Sequence, residues 1–218
     1  VVGVGWGDTV ARALSMLAAE SLDGVTLASA AGSIQAISQS LAGDPKVAHH
    51  LRVVPAPLLV SSPEAADLLR AEASVREVLD LASSASVTLT GIGSAGPDAS
   101  AVRSQLVTPA EVTSFAAMGA VGDMLGEWFD ANGRIVSAAT SSRRIGLGLD
   151  RLREMPNVVG VAGGRHKAEA VLGAIRGGFL KVLVTDENTA EELLAKGSVT
   201  AGAARAATSA RQGGRAAR

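Results

Sequence analysis

The chain has 218 residues, 47% of them hydrophobic, and a formal net charge of −1. That is enough for one well-filled core or two small domains, and it lacks the overall basic field that general nucleic-acid binding needs. There is no cysteine, and the three histidines, His49, His50 and His166, form no i, i+4 pair, so disulfides, thiolate chemistry and Cys- or paired-His-ligated metals are excluded.

Aromatic residues make up only 2% of the chain, so Val, Leu, Ile and Ala must fill the core, which suits an α/β sheet covered on both faces. In chain order, Val1–Gly5 reads as a strand and Thr9–Ala19 as an amphipathic helix. Val25–Ala28 is a second strand, followed by a helix near Ser33–Leu41. Leu51–Val54 is a third strand, ended by Pro55-Ala56-Pro57. Ser62-Pro63-Glu64 starts a helix with Ser as N-cap and Pro in the first turn. Ser74-Val75-Arg76-Glu77 has the pattern of a capping box, as does Thr108-Pro109-Ala110-Glu111. Ser86–Gly93 is a strand running into glycines, and Gly126–Val136 a hairpin turning at Asn132-Gly133. Val158–Ala162 and Val182–Val184 are strands, Lys167–Ile175 is a helix, and Asp186–Leu194 is a helix capped by Asp186. The alternation predicts a mainly parallel, Rossmann-like sheet with helices on both faces. Residues 197–218 hold four Arg, no acid and almost no large apolar side chain, and are expected to be a flexible tail after a domain spanning 1–196. No apolar run reaches about 18 residues and no signal peptide is visible; the expectation is a cytoplasmic protein without a cofactor.

Ligands of open parallel sheets bind beyond the carboxyl ends of the strands, and four segments fall there. Gly5-Trp6-Gly7-Asp8-Thr9 joins a strand to a helix N-terminus, where glycines admit a ligand and free N–H groups await one; Asp8 can instead cap the helix itself. Gly163-Gly164-Arg165-His166-Lys167 crowds three basic groups at a helix start, which the helix dipole disfavours unless an anion binds. Gly91–Gly96, with Gly91 and Gly93, has G-x-G-x-x-G spacing, but Pro97-Asp98 follows where a helix should begin and no acid closes a second strand; a nucleotide module is the weakest reading. Asp123 stands among small and apolar residues, where a carboxylate needs partners: sugar hydroxyls, nearby cations or its own turn. Arg143-Arg144 reads as a solvated basic pair.

Taken in order, GVGWGDT (3–9), VVPAPLLVSSPEAADLL (53–69), GIGSAG (91–96), GAVGDMLGEWFDANG (119–133), GVAGGRHKAEAVLGAI (160–175) and VLVTDENTAEELL (182–194) resemble the effector-binding domain of SorC/DeoR-type bacterial transcription regulators. The resemblance implies a fold similar to sugar-phosphate isomerases and glucosamine-phosphate deaminases, and a domain that binds a sugar, polyol or sugar phosphate without turning it over. It places phosphate on Gly7, Thr9 and Lys167 and sugar hydroxyls on Asp123. Gly5, Gly164 and Arg165 belong to the same loops, and Ser33, Gln35 and Arg103 match more loosely. It further implies a preceding helix-turn-helix domain through which alone DNA is contacted, and a homodimer or homotetramer; that Val1 already reads as part of a strand leads to the expectation of residues missing before it, and the lack of a long apolar run to that of no membrane association. Asp8 departs from the family, which often has a neutral or basic residue there; a carboxylate repels phosphate unless Lys167, Arg165 or the helix N-terminus compensates, so an unphosphorylated, hydroxyl-rich ligand stays open. The competing reading is an isomerase or deaminase with Asp123 as base and His166 as its partner.

Overall fold

The computed structural model describes residues 1–17, 22–34 and 45–197. Apart from Ser33 and Ile34, the helix expected near Ser33–Leu41 lies outside the described residues, as does the expected tail from residue 198 onward. In chain order the elements are β1 (Val2–Val4), α1 (Asp8–Leu17), β2 (Leu27–Ser33), α2 (Pro45–His50), β3 (Leu51–Pro57), α3 (Pro63–Ala71), α4 (Ala73–Ser83), β4 (Val87–Gly91), β5 (Gly93–Ser94) and α5 (Ser100–Arg103). They continue with α6 (Pro109–Ala117), β6 (Ala120–Met124), β7 (Glu127–Asp130), α7 (Leu149–Glu154), β8 (Val158–Val161), α8 (Ala168–Arg176), β9 (Val182–Val184) and, last among the described residues, helix α9 over 187–197.

Six strands form the central sheet in the order β3-β2-β1-β4-β8-β9, every neighbouring pair parallel. The expected α/β fold with a parallel sheet is thus the fold observed. A second sheet, β5-β6-β7, is antiparallel. The strand expected over 86–93 breaks at Ile92, where the chain leaves the first sheet and enters the second. The second strand starts later and runs longer than expected, and β3 continues through Pro55-Ala56-Pro57 instead of ending there. β3 is an edge strand, and there a missing N–H costs no ladder bond.

The local start signals are mostly honoured. Ser62 Oγ accepts from Ala65 N at 3.2 Å. Thr108 Oγ1 accepts from Glu111 N at 3.2 Å while the Glu111 carboxylate accepts from Thr108 N at 2.8 Å, a complete capping box. The box expected at Ser74 does not form. α3 ends at Ala71 and α4 begins at Ala73, so Glu72 is the N-cap, without a side-chain bond. The turn at Asn132-Gly133 is present: Asp130 Oδ1 accepts from both Asn132 N and Arg134 N, at 2.8 and 2.9 Å.

All five aromatic side chains are buried, and β7 distributes two of them. Trp128 points to one side, where its ring lies 5.1 Å from that of Phe115 on α6. Phe129, its neighbour, points to the other and lies 5.4 Å from Phe179, in the core of the central sheet. Alternation along one strand thereby joins the two sheets. The Asn132-Gly133 turn seats against the end of α8: a Cβ on Gly133 would collide with the backbone N of Gly177, and Gly133 has φ +75°.

Two substitutions separate local from tertiary anchoring. Gly133→Ala, strained in backbone and blocked in space, is expected to cost about 2 kcal/mol or more in urea unfolding. Thr108→Ala, which removes one cap, is expected to cost about 1 kcal/mol. A Gly133→Ala loss below that of Thr108→Ala would show that the turn is not locked against α8.

Candidate functional site

The winding of the central sheet reverses at β1. From β1 the chain proceeds outward through β2 and β3, then returns to β4 on the opposite side of β1. The loops that follow β1 and β4 therefore diverge and leave a crevice at the carboxyl ends of the strands. Here they also touch: Gly91 packs against the Trp6 carbonyl, where a Cβ would lie 3.1 Å from that oxygen. The crevice opens into a cavity of about 850 Å³, a size common for small-molecule sites.

The glycine loops at 5–9 and 163–167, far apart in sequence, both line this cavity. Gly7, Asp8, Thr9, Gly91, Gly93, Arg103, Asp123 and Lys167 are in its wall. Gly7 O accepts the first helical bond, from Ala11 N at 2.9 Å, and its φ of +145° is a conformation that glycine supplies. Asp8 is the first residue of α1, and its Oδ2 lies 3.5 Å from Arg103 Nη2. Arg103 also donates to Asp98 O. This exposed pair bridges the loop after β1 and the short helix α5.

Asp123 is held by its own turn and by an absent side chain. Gly126 N donates to Asp123 Oδ2 at 3.3 Å. Gly93 faces Asp123 across the β5–β6 pair, and the carboxylate occupies the space a Cβ on Gly93 would take. Burial pushes the Asp123 carboxyl up to about 6, opposed by the Gly126 hydrogen bond and the charge of Lys167. Lys167 is the N-cap residue of α8, reached through a 3-10 turn over Arg165–Lys167. Its Nζ donates to Ile92 O at 3.1 Å, a carbonyl at the point where the chain changes sheets. Burial draws the ammonium below its usual range; Asp123 and Asp8 counter that and Arg103 adds to it. The cavity thus presents one desolvated cation beside one carboxylate poised between charged and neutral, with a neutralised Asp8–Arg103 pair at its rim.

Other expected residues stand elsewhere. Gly5 is buried between Thr90 and Leu125 and supports the loop from behind. Ser33 donates to Ala56 O at 3.4 Å, outside the wall. Arg165 turns away to Glu191 and Asn188, at 3.2 and 3.4 Å. Gly164 N is taken by Asp186 Oδ2 and Thr189 Oγ1, each at 2.8 Å. Gln35 lies outside the described residues. Arg143-Arg144 is not a solvated pair: Arg144 is only 7% exposed, its fate set by long-range packing. The wall also includes Arg12 and Ser15 of α1, Ser100 and Ser104 around α5, His166, and the turn Leu125-Gly126. Arg12 and Ser15 share a helix face with Asp8 at 8, 12 and 15, a spacing that could have found them. No sequence signal marks Leu125, whose φ of +54° is unusual for its type.

Residues 1–195 match the family described as "Putative sugar-binding domain". A transcriptional regulator LsrR from an Enterobacter species is 36% identical over 199 residues, covering 89% of this chain and 61% of that protein. The chain thus spans about three fifths of the length of that relative. A DeoR family transcriptional regulator from Listeria monocytogenes has the same fold, with TM-score 0.79 at 24% identity over 88% of this chain and 78% of that one. The sugar-binding domain of a transcriptional repressor from Vibrio fischeri gives TM-score 0.72 at 29% identity, with the same coverages. A cavity built from these glycine loops, a match along nearly its whole length and a shared fold agree: this chain belongs to the sugar-binding domain family of SorC/DeoR-type regulators.

Proposed function

We propose that this domain senses a small sugar, polyol or sugar phosphate in the β1/β4 cavity and does not transform it, as the effector-binding part of a bacterial transcription regulator working in the cytoplasm. DNA contact is assigned to a helix-turn-helix domain preceding Val1, and the working assembly to a homodimer or homotetramer. The observation that carries the reading is the pairing of Lys167 with Asp123 in one wall. The first offers charge-assisted donation to an anionic or electron-rich oxygen, the second accepts from hydroxyls. Occupancy shifts an oligomer between arrangements by no more than the ligand's differential affinity for them. Gly7, Thr9, Gly91 and Gly93 supply backbone approach, and Arg103 and Asp8 set the charge at the rim. Gly5, Ser33, Gln35, Gly164 and Arg165 complete the loops around the site without a direct contact being assigned to them.

Calorimetric titration with a panel of sugars and their phosphates tests this, alongside NMR of the same mixtures for turnover. Saturable binding without conversion is expected. No binding to any member, or conversion lost in Asp123→Asn, would overturn the reading.

Lys167→Ala is expected to weaken the bound panel member about 10- to 100-fold, the scale of a hydrogen bond to a charged group, with the thermal midpoint unchanged. Affinity for a hydroxyl-donating ligand should rise between pH 5 and pH 7 through a midpoint near 6, as the Asp123 carboxyl ionises, and Asp123→Asn should flatten that rise. The stability dependence has the opposite sign. The folded state holds this proton more tightly than the unfolded one, whose carboxyl has the ordinary value of 3.8. The group therefore favours folding in acid, and that contribution is lost as pH rises through about 6. Gly93→Ala should fold normally yet bind like Asp123→Asn, because the new methyl evicts the carboxylate. Asp8→Gly should raise affinity for phosphorylated relative to plain sugars; an equal change for both would refute repulsion by Asp8.

A further inference from the structure

The turn that carries the Gly126 N–H is not stable by its own chemistry. Leu125 and Gly126 take φ of +54° and +75°. Glycine adopts this conformation freely, but in leucine it sets Cβ against the following carbonyl. Strain of this kind survives where the surroundings over-determine it, and here a buried cation does so. Arg144 Nη1 donates to Leu125 O at 3.3 Å and to Leu147 O at 3.0 Å. Its Nη2 lies 3.7 Å from Glu127 Oε2, and the same oxygen accepts from Leu149 N at 2.6 Å, at the start of α7.

The backbone of Arg144 is fixed from the other side. Arg144 O accepts from Arg70 Nε and Nη2, at 3.2 and 2.7 Å. Ile145 N donates to Leu58 O at 2.8 Å. Above the turn, the space at Gly126 is bounded by Leu58 Cδ2 and Arg144 Cδ, 3.3 and 3.5 Å from a Cβ placed there. The guanidinium thus stands directly beneath the cavity wall, with its planar fork spread over two carbonyls and one carboxylate.

We propose that Arg144, oriented by Glu127, is a positioning residue of the ligand site: by holding the Leu125 carbonyl it fixes the 125–126 turn and so aims the Asp123 carboxylate into the cavity. Arg144 touches no ligand itself. Only the consequence for binding rests on the cavity being the effector site; the effect on Asp123 stands without it.

The test reads the hydrogen bond directly. In 1H–15N spectra across pH 4–8 the Gly126 amide proton of the wild-type chain should move with the titration of Asp123, near pH 6, and Asp123→Asn should abolish that movement. Arg144→Met should abolish it as well, with the other amides still dispersed, because the amide no longer reaches the carboxylate. Loss of a positive charge alone would shift the midpoint but leave the amide reporting on it. If Arg144→Met does not fold, Glu127→Leu combined with Arg144→Met carries the same test, since apolar replacement of both members of a buried pair leaves no lone charge. A Gly126 amide that still follows Asp123 in a folded variant overturns the proposal. In parallel, the panel member bound by the wild type, D-ribose 5-phosphate being the first probe, should bind at least about tenfold more weakly to the folded variant; unchanged affinity also overturns it. If the wild type binds no panel member, the effector reading falls while the amide readout still decides on Arg144.

Discussion

The reversal of winding between β1 and β4 is the constraint on which the remaining structure rests. Two parallel strands pair along their length, yet the chain leaves them in opposite directions, so their exit loops cannot both pack over the same helix. The gap has to be bounded by something else. In this chain Gly7 and Gly91 let the two backbones approach, and the second sheet supplies a wall that the doubly wound sheet by itself lacks. β5 begins two residues after β4 ends, so Asp123 on its neighbour β6 is brought to the crevice by backbone pairing and not by a long loop.

That second sheet is small, and its placement depends on a few large contacts. β7 is wedged by Trp128 on one side and Phe129 on the other, and the Asn132-Gly133 turn is pressed against the end of α8. α8 in turn has Lys167 at its N-cap. The cation and the carboxylate of the cavity therefore sit on elements packed against each other, β6 and α8. Their opposition is a property of the packing. The cost is a lysine drawn down and an aspartate pushed up by burial, the kind of displacement that clusters at functional sites.

Local chemistry was legible in the sequence, and long-range chemistry was not. Ser62, Thr108 and Asp186 cap helices where the pattern says they should, because a cap needs only residues three apart. The glycine loops were placed at strand ends because a strand, a turn and a helix each leave a short signature. Arg144 reads as solvated in sequence because its partners, Leu125, Leu147 and Glu127, are recruited by the fold. Leu125 was invisible for a related reason, since a leucine gives no hint of left-handed backbone and only the neighbouring turn compels it. Arg165 drew attention by its position beside Lys167, but a 3-10 turn advances each residue by about a third of a revolution. The two side chains leave the turn in different directions, one to the cavity and one to α9. All six strands of the parallel sheet were expected; of the second sheet only β7 lay inside an expected element, the hairpin over 126–136, while β6, which pairs with β7 through the turn at Leu125-Gly126, and the two-residue β5 were missed.

Asp186 shows how economically the segment after β9 is tied to the loop after β8. Its Oδ1 accepts from Thr189 N, in the opening turn of α9, while its Oδ2 accepts from Thr189 Oγ1 and from Gly164 N. These donors hold the carboxyl below its usual range, so it keeps its charge at neutral pH. One acidic side chain is thus shared by two segments, and neither can leave without surrendering an acceptor the other also uses. The Gly163-Gly164 loop and the opening turn of α9 are thereby tied through one carboxylate, so a substitution at Asp186 would loosen the loop beside Lys167 although Asp186 is not in the cavity wall.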